Sequence, residues 1–234
     1  MIRFALRRAL GSLFIGLGSL TLLPACSSSS ADQQTAQLPY IGEREVVPSP
    51  TGGPADTVYA TIPTFHLTDQ AGQPVTNATF KDKVYITDFF FATCPSICPK
   101  MQSELLRVYE KYKDNPRVVF LSHTIDPAHD SIPVLRDYAE RLGVTDASRW
   151  HFATAPHDTV FALARAYMTG AQVDKEAPGG FTHTGAFALI DPNRHVRGIY
   201  DGLNKDEVDR LIKEIPVLLQ EVSATSATAT AKQP

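Results

Sequence analysis

Val84-Tyr85-Ile86-Thr87-Asp88-Phe89-Phe90-Phe91-Ala92-Thr93-Cys94-Pro95-Ser96-Ile97-Cys98-Pro99-Lys100-Met101 is the stretch on which the fold turns. The run from Val84 to Phe91 is β-branched and aromatic, the composition of a strand covered on both faces. It ends at two cysteines four apart, each followed by proline. Beyond them Met101, Leu105, Val108 and Tyr112 recur at helical spacing, and Pro99 suits the first turn of a helix. Two thiols therefore sit where a buried strand gives way to a helix. The Cys-x-x-x-Cys spacing puts both sulfurs on one side of one turn, where unpaired N–H groups and the helix dipole favour the thiolate. Such a pair can close a disulfide or grip a soft metal such as copper(I), zinc or an iron–sulfur centre. Two sulfurs rarely complete a metal site, so that use needs a third ligand.

Outward from this stretch the chain alternates. Thr64 to Thr68 reads as a strand running into the turn Asp69-Gln70-Ala71-Gly72. Val118 to Leu121 is a second buried strand, leading to the loop His123-Thr124-Ile125-Asp126-Pro127. A helix is expected from Ile132 to Leu142, stopped by Gly143, then a short strand Trp150 to Thr154 and a helix Asp158 to Met168. Ala186 to Ile190, the turn Asp191-Pro192-Asn193-Arg194 and Val196 to Tyr200 form a hairpin. Asn204 with Glu207 resembles a capping box, opening a helix that Pro216 should kink or end. This is the pattern of an α/β domain, a mixed sheet with helices on both faces, whose ligands gather at the carboxyl ends of strands. The cysteines and the Asp126 loop both fall there.

The 234 residues carry a net charge of −3. The first 25 hold Arg3, Arg7 and Arg8 and no acid, so without them the balance falls to −6. A mildly acidic chain with no basic stripe argues against nucleic acid as partner. Those arginines followed by the apolar Ala9 to Leu23 form the start of a signal peptide, too short for a comfortable span. Leu23-Pro24-Ala25-Cys26 resembles a bacterial lipobox in which Cys26 is lipidated; the alternative is an uncleaved anchor helix. Either places the rest of the chain outside the cytoplasm, at a membrane of the cell envelope. The expected organisation is a lipoprotein signal peptide over 1–25, a flexible Ser/Gln/Pro/Gly-rich linker over 26–57, the domain over 58–221 and a disordered Ala/Thr/Ser tail over 222–234. With Cys26 assigned to lipid, only Cys94 and Cys98 remain. A disulfide between them closes too small a loop to be a useful staple, so a working role is favoured.

Seven histidines offer a third ligand. His183, in Gly179-Gly180-Phe181-Thr182-His183-Thr184-Gly185, stands just before a buried strand in a small-residue loop that can fold over the sulfurs; the plain reading is a solvated loop histidine. His66, His151, His157 and His195 read as surface or hydrogen-bonded residues, and so do His123 and His129, although these two lie near strand ends. Asp126 before Pro127 reads as a turn residue, with a role in steering the site left open.

Phe65-His66-Leu67-Thr68-Asp69, the motif Asp88 to Pro99, Ser122-His123-Thr124-Ile125-Asp126-Pro127 and Thr182-His183-Thr184 together resemble the Sco/SenC family of copper-binding assembly factors for cytochrome oxidase. The resemblance spans Ile62 to Leu219. It implies a thioredoxin-like three-layer sandwich with a central mixed sheet and a C-terminal hairpin plus helix. It also implies one copper, Cu(I) or Cu(II), held by Cys94, Cys98 and His183. Thioredoxins tend to carry proline where this chain has the His183 loop, which fits a metal site better than general disulfide exchange. Many members have aspartate directly before this histidine; here it is Thr182, which bears on partner docking and the order of metal loading. The function so implied is a membrane-tethered copper chaperone, rather than an enzyme, serving the copper-bearing subunit of cytochrome c oxidase. Another copper carrier or a thioredoxin-like reductant is a further expected partner. Two rivals share the cysteines: a thiol–disulfide oxidoreductase acting on the oxidase's copper-ligand cysteines, and a copper or redox sensor. A peroxidase lacks the Pro-x-x-x-Thr-x-x-Cys run it would need.

Overall fold

The computed structural model describes residues 37–50, 52–177 and 179–231, with side chains described as far as 224. The signal peptide, Cys26 and the lipobox lie outside the described residues. The centre is a seven-stranded mixed sheet in the order β11-β10-β5-β6-β7-β3-β4. Its strands are β3 (His66–Asp69), β4 (Pro74–Thr76), β5 (Val84–Phe90), β6 (Val118–Thr124), β7 (Trp150–Thr154), β10 (Ala186–Ile190) and β11 (Val196–Asp201). The helices are α1 (Cys98–Tyr112), α2 (Ile132–Leu142), α3 (His157–Ala166) and α4 (Lys205–Ala231). Every residue of β5 and β6 is buried, the polar Thr87 and Asp88 of β5 and Ser122, His123 and Thr124 of β6 included. β5, β6 and β7 run parallel, and antiparallel strands flank them on both sides.

Alternation along β5 sorts the layers. Asp88 and Phe90 face α1 and α2, through Gln102 and Tyr138. Tyr85 and Phe89 face the opposite layer, meeting Tyr167 at the end of α3. α4 shares the first layer with α1. Gly143 ends α2 in the left-handed region, at φ 87°, as expected of a glycine stop.

Pro216 does not end α4. A proline cannot donate to the carbonyl four residues back, which would strand Ile212. Tyr112 on α1 supplies the missing donor: its O–H bonds the Ile212 carbonyl at 2.6 Å. Val208, Leu211, Ile215 and Leu218 stay buried on either side of the proline. The helix then continues to Ala231, correcting the reading of 222–234 as a tail without structure. Alanine recurs through this segment and no glycine or proline interrupts it until Pro234. The capping box is half formed: the Asn204 side chain accepts from the Asp206 N–H, while Glu207 pairs with Arg210.

The linker reading needs correcting from residue 37 on; its first part, 26–36, lies outside the described residues. β1 (Arg44–Val47) and β2 (Asp56–Tyr59) form a two-stranded antiparallel ladder. Upstream of it, Ile41 bridges Val196 on the sheet edge. Arg197, 4% exposed, fastens the chain there, donating to the carbonyls of Leu38 and Pro39 and pairing with Asp191 and Glu221. Its guanidinium lies 4.1 Å from the Tyr40 ring centre. From residue 37 onward the chain is strapped to the domain.

Candidate metal centre

The topology explains why distant residues meet. β5 delivers the cysteine loop at its carboxyl end, and Cys98 is the first residue of α1, with Pro99 in the opening turn. β10 runs antiparallel to β5, Ala188 opposite Thr87 and Ile190 opposite Tyr85. The start of β10 therefore lies beside the end of β5, and His183, three residues before β10, arrives above the sulfurs.

His183 does not sit in a plain loop. β8 (Ala171–Val173) and β9 (Phe181–His183) pair as an antiparallel flap, with Ala171 opposite His183. The flap rests on Phe91, whose ring centre is 5.6 Å from that of Phe181 and 6.5 Å from the His183 ring. Gly179 permits this approach. Its φ is +86°, and a Cβ there would stand 2.6 Å from the Phe91 ring. Thr182, where many family members carry aspartate, lies mid-flap opposite Gln172.

The ligand atoms of Cys94, Cys98 and His183 all lie within 4.8 Å of one another. Cys98 Sγ and His183 Nε2 are 3.3 Å apart. One ion with bonds of about 2.0–2.3 Å, the values for zinc, would need its ligand atoms within roughly 4 Å of one another. Among the described residues this is the one group of His, Cys, Asp or Glu side chains whose ligand atoms all lie within 4.8 Å of one another, so a small inward shift brings the three onto one ion. The two sulfurs differ. Cys94 is partly exposed and Cys98 is buried, both free thiols. Cys94 is pulled down to about 3, chiefly by the hydrogen bond from Cys98, with His183 and backbone N–H groups also stabilising its thiolate. Cys98 is pushed up, because it keeps the shared proton for Cys94 and because it is buried. The pair thus presents one partly exposed nucleophilic sulfur and one sheltered thiol.

Two acids to which the sequence assigned no role, Asp88 and Asp130, support the site. Asp88 is fully buried under α1, accepting hydrogen bonds from Gln102 (2.6 Å) and Ser122 (2.5 Å), and Trp150 donates to Ser122 in turn. Burial pushes its carboxyl up to about 6. The signal was present: an acid inside an otherwise apolar buried strand. Asp130 accepts from the Ala92 N–H and the Thr124 hydroxyl, pinning the cysteine loop to the end of β6. In sequence it looks like any loop acid.

The remaining candidates fall elsewhere. Asp126 pairs with His129 at 2.7 Å, and no contact joins it to the three ligand atoms. His151 bonds Asp69, His195 bonds Asp191, His157 stacks on Phe161, and His66 is exposed. His123 departs from the surface or hydrogen-bonded reading. It is wholly buried, neither ring nitrogen has a hydrogen-bond partner, and it stacks on Phe89 at 4.7 Å. That apolar setting pulls it down to about 3, so the ring stays neutral and packs as an aromatic.

A thioredoxin-like sheet carrying a dithiol at a helix start, capped by an imidazole on a flap, defines the class. The SCO1/SenC family model matches residues 54–220, and the chain belongs to that family. A SCO1 protein homolog of Bacillus subtilis (strain 168) is 26% identical over 153 residues, covering 64% of this chain and 79% of that protein. The crystal structure of a SCO1/SenC family lipoprotein from Bacillus anthracis str. Ames superposes with a TM-score of 0.62 at 25% identity, covering 68% of this chain and 95% of that one. Copper-bound ScoI of Arabidopsis thaliana shares the fold, with a TM-score of 0.56 at 23% identity over 67% of this chain and 99% of that one. Among the described residues no helix is long and apolar enough to cross a membrane.

Proposed function

We propose that the chain is a membrane-tethered, extracytoplasmic copper chaperone that binds one copper as cargo through Cys94, Cys98 and His183 and supplies it for assembly of the copper centre of cytochrome c oxidase. The observation that carries this reading is the convergence of two thiols and an imidazole from positions 85 residues apart in sequence. Thiolate and imidazole are the donors that copper(I) prefers. Three ligands leave room for an acceptor's ligand to enter before a donor ligand leaves, as a carrier needs and a structural site does not. Copper in the Arabidopsis relative, the lipoprotein nature of the Bacillus anthracis relative and the family's description as cytochrome c oxidase assembly proteins support the cargo, the tether and the destination. Anaerobic titration of the reduced full chain tests it. Wild type should take up one copper per chain, and His183→Ala should lose more affinity than the ~100-fold that removal of an outer partner of a metal ligand costs. Unchanged affinity in that variant would remove the imidazole from the site.

One observation favours a second reading, thiol–disulfide exchange: the partly exposed Cys94 thiolate beside the buried Cys98 thiol is an attacking and resolving pair. It needs no metal, and a His183→Ala variant would retain it.

A further inference from the structure

The flap that carries His183 leaves the domain at two roots, Met168 to Gly170 before β8 and Thr184 to Gly185 after β9. Thr184 joins them. Its N–H donates to the Gly170 carbonyl at 3.1 Å, and its hydroxyl donates to the Thr169 carbonyl. Thr169 is fixed in turn. It is 2% exposed, and it sends its N–H and its hydroxyl to the Ala164 carbonyl in the last turn of α3, at 3.1 and 3.3 Å. Two residues earlier, the Tyr167 hydroxyl meets that of Tyr85 on β5 at 3.0 Å. The joint between the roots is close: Gly170 has a φ of +46°, and a Cβ there would stand 2.9 Å from the Thr184 methyl carbon. The residue beside the imidazole is thereby tied to the sheet through the end of α3.

An imidazole that binds metal is ordinarily oriented by a hydrogen bond from its other ring nitrogen to a carboxylate or a carbonyl. Among the described residues no such oxygen makes a hydrogen bond to the His183 ring, which meets Cys98 Sγ through Nε2. Orientation then falls to the backbone on either side of it. We infer that Thr184 is the positioning residue of the site, holding the two roots together so that the imidazole stands over the sulfurs before any ion arrives. Its hydroxyl is engaged by Thr169, so it acts through the backbone and not as a ligand. Thr184 is exposed, so exchanging that hydroxyl for a methyl empties no core. The inference rests on the reading of His183 as a copper ligand.

The test is a double-mutant cycle on the reduced full chain, with copper(I) affinity read by competition against a chelator of known strength. Thr184→Val keeps the shape and loses the hydroxyl; it should lower affinity about tenfold, the smaller end of what removing an outer partner of a metal ligand costs. Thr184→Ser keeps the hydroxyl and should bind close to wild type. In a His183→Ala background Thr184→Val should change nothing further, because the group it positions is gone. In the metal-free chain the Thr184 N–H should exchange with deuterium about tenfold faster in Thr184→Val, while the amides of β5 keep their protection. Wild-type affinity or unaltered exchange in Thr184→Val, or an equal loss of affinity with and without His183, would overturn the inference and leave the copper site standing. Wild-type affinity in His183→Ala would instead sink the ligand reading, and the inference with it.

Discussion

Within hydrogen-bonding reach of α1 lies Asp88, a carboxyl whose folded-state value of about 6 stands above its ordinary 3.8 because burial disfavours the charge. Folding therefore favours its protonated form. The stability it lends is whole below about pH 4 and is lost as pH rises through about 6, an effect on the order of 3 kcal/mol. Asp88→Asn removes that titration. Urea unfolding of the metal-free protein at pH 4 and pH 7 should show wild type losing stability between them relative to the variant. Parallel pH profiles would mean that another group titrates. The cysteines were legible at this scale because their chemistry and spacing are local. His183 was legible only in part: a small-residue loop just before a buried strand marked it out, while spacing alone left a solvated loop residue as its plain reading. The reason is physical, since its position depends on β10 pairing antiparallel with β5 some hundred residues away in sequence.

The element that decides whether the imidazole stays is the flap of β8 and β9. It holds to the domain through Phe181 packed on Phe91 and Phe161, with Gly179 placed so that a Cβ there would meet the Phe91 ring. Gly179→Val adds atoms where a Cβ already stands 2.6 Å from that ring, at a backbone conformation that valine resists. The flap should lift, so copper affinity should fall toward that of His183→Ala while the chain still unfolds cooperatively in urea. Wild-type copper affinity in Gly179→Val would show that the flap closes without this contact. Long apolar elements such as β5, β6 and α2 were readable because burial and periodicity agree. The flap was not, since its three-residue strands are half-exposed and rich in turn residues nearby. Continuation of α4 past Pro216 was hidden for another reason. It depends on Tyr112, a residue on a different helix, supplying a hydrogen bond that no local pattern shows.

Across the whole molecule, the strap and the site lie at opposite ends of the sheet. Arg197 sits at the start of β11, beside the amino end of β5, and the cysteines follow its carboxyl end, seven residues and about 20 Å away. The strap looks like linker in sequence because its Pro/Gly-rich composition shows almost no apolar periodicity, and its anchor, Arg197, lies far along the chain. Arg197→Met leaves Asp191 and Glu221 without their buried cation, a change expected to cost about 3 kcal/mol or more. The variant should unfold at lower urea and be cut by trypsin at Arg44, while binding copper as wild type does, because the site is remote. Weakened copper binding in a folded Arg197→Met protein would show that strap and site are coupled.

The central claim is a soft ion shared by two sulfurs and one distant imidazole. X-ray absorption at the copper edge, on the reduced full chain loaded with one copper, measures that set directly. The account predicts two sulfur neighbours and one nitrogen neighbour, with the nitrogen and its imidazole ring scattering lost in His183→Ala. A sulfur-only shell in wild type, or an identical spectrum in the variant, would contradict it.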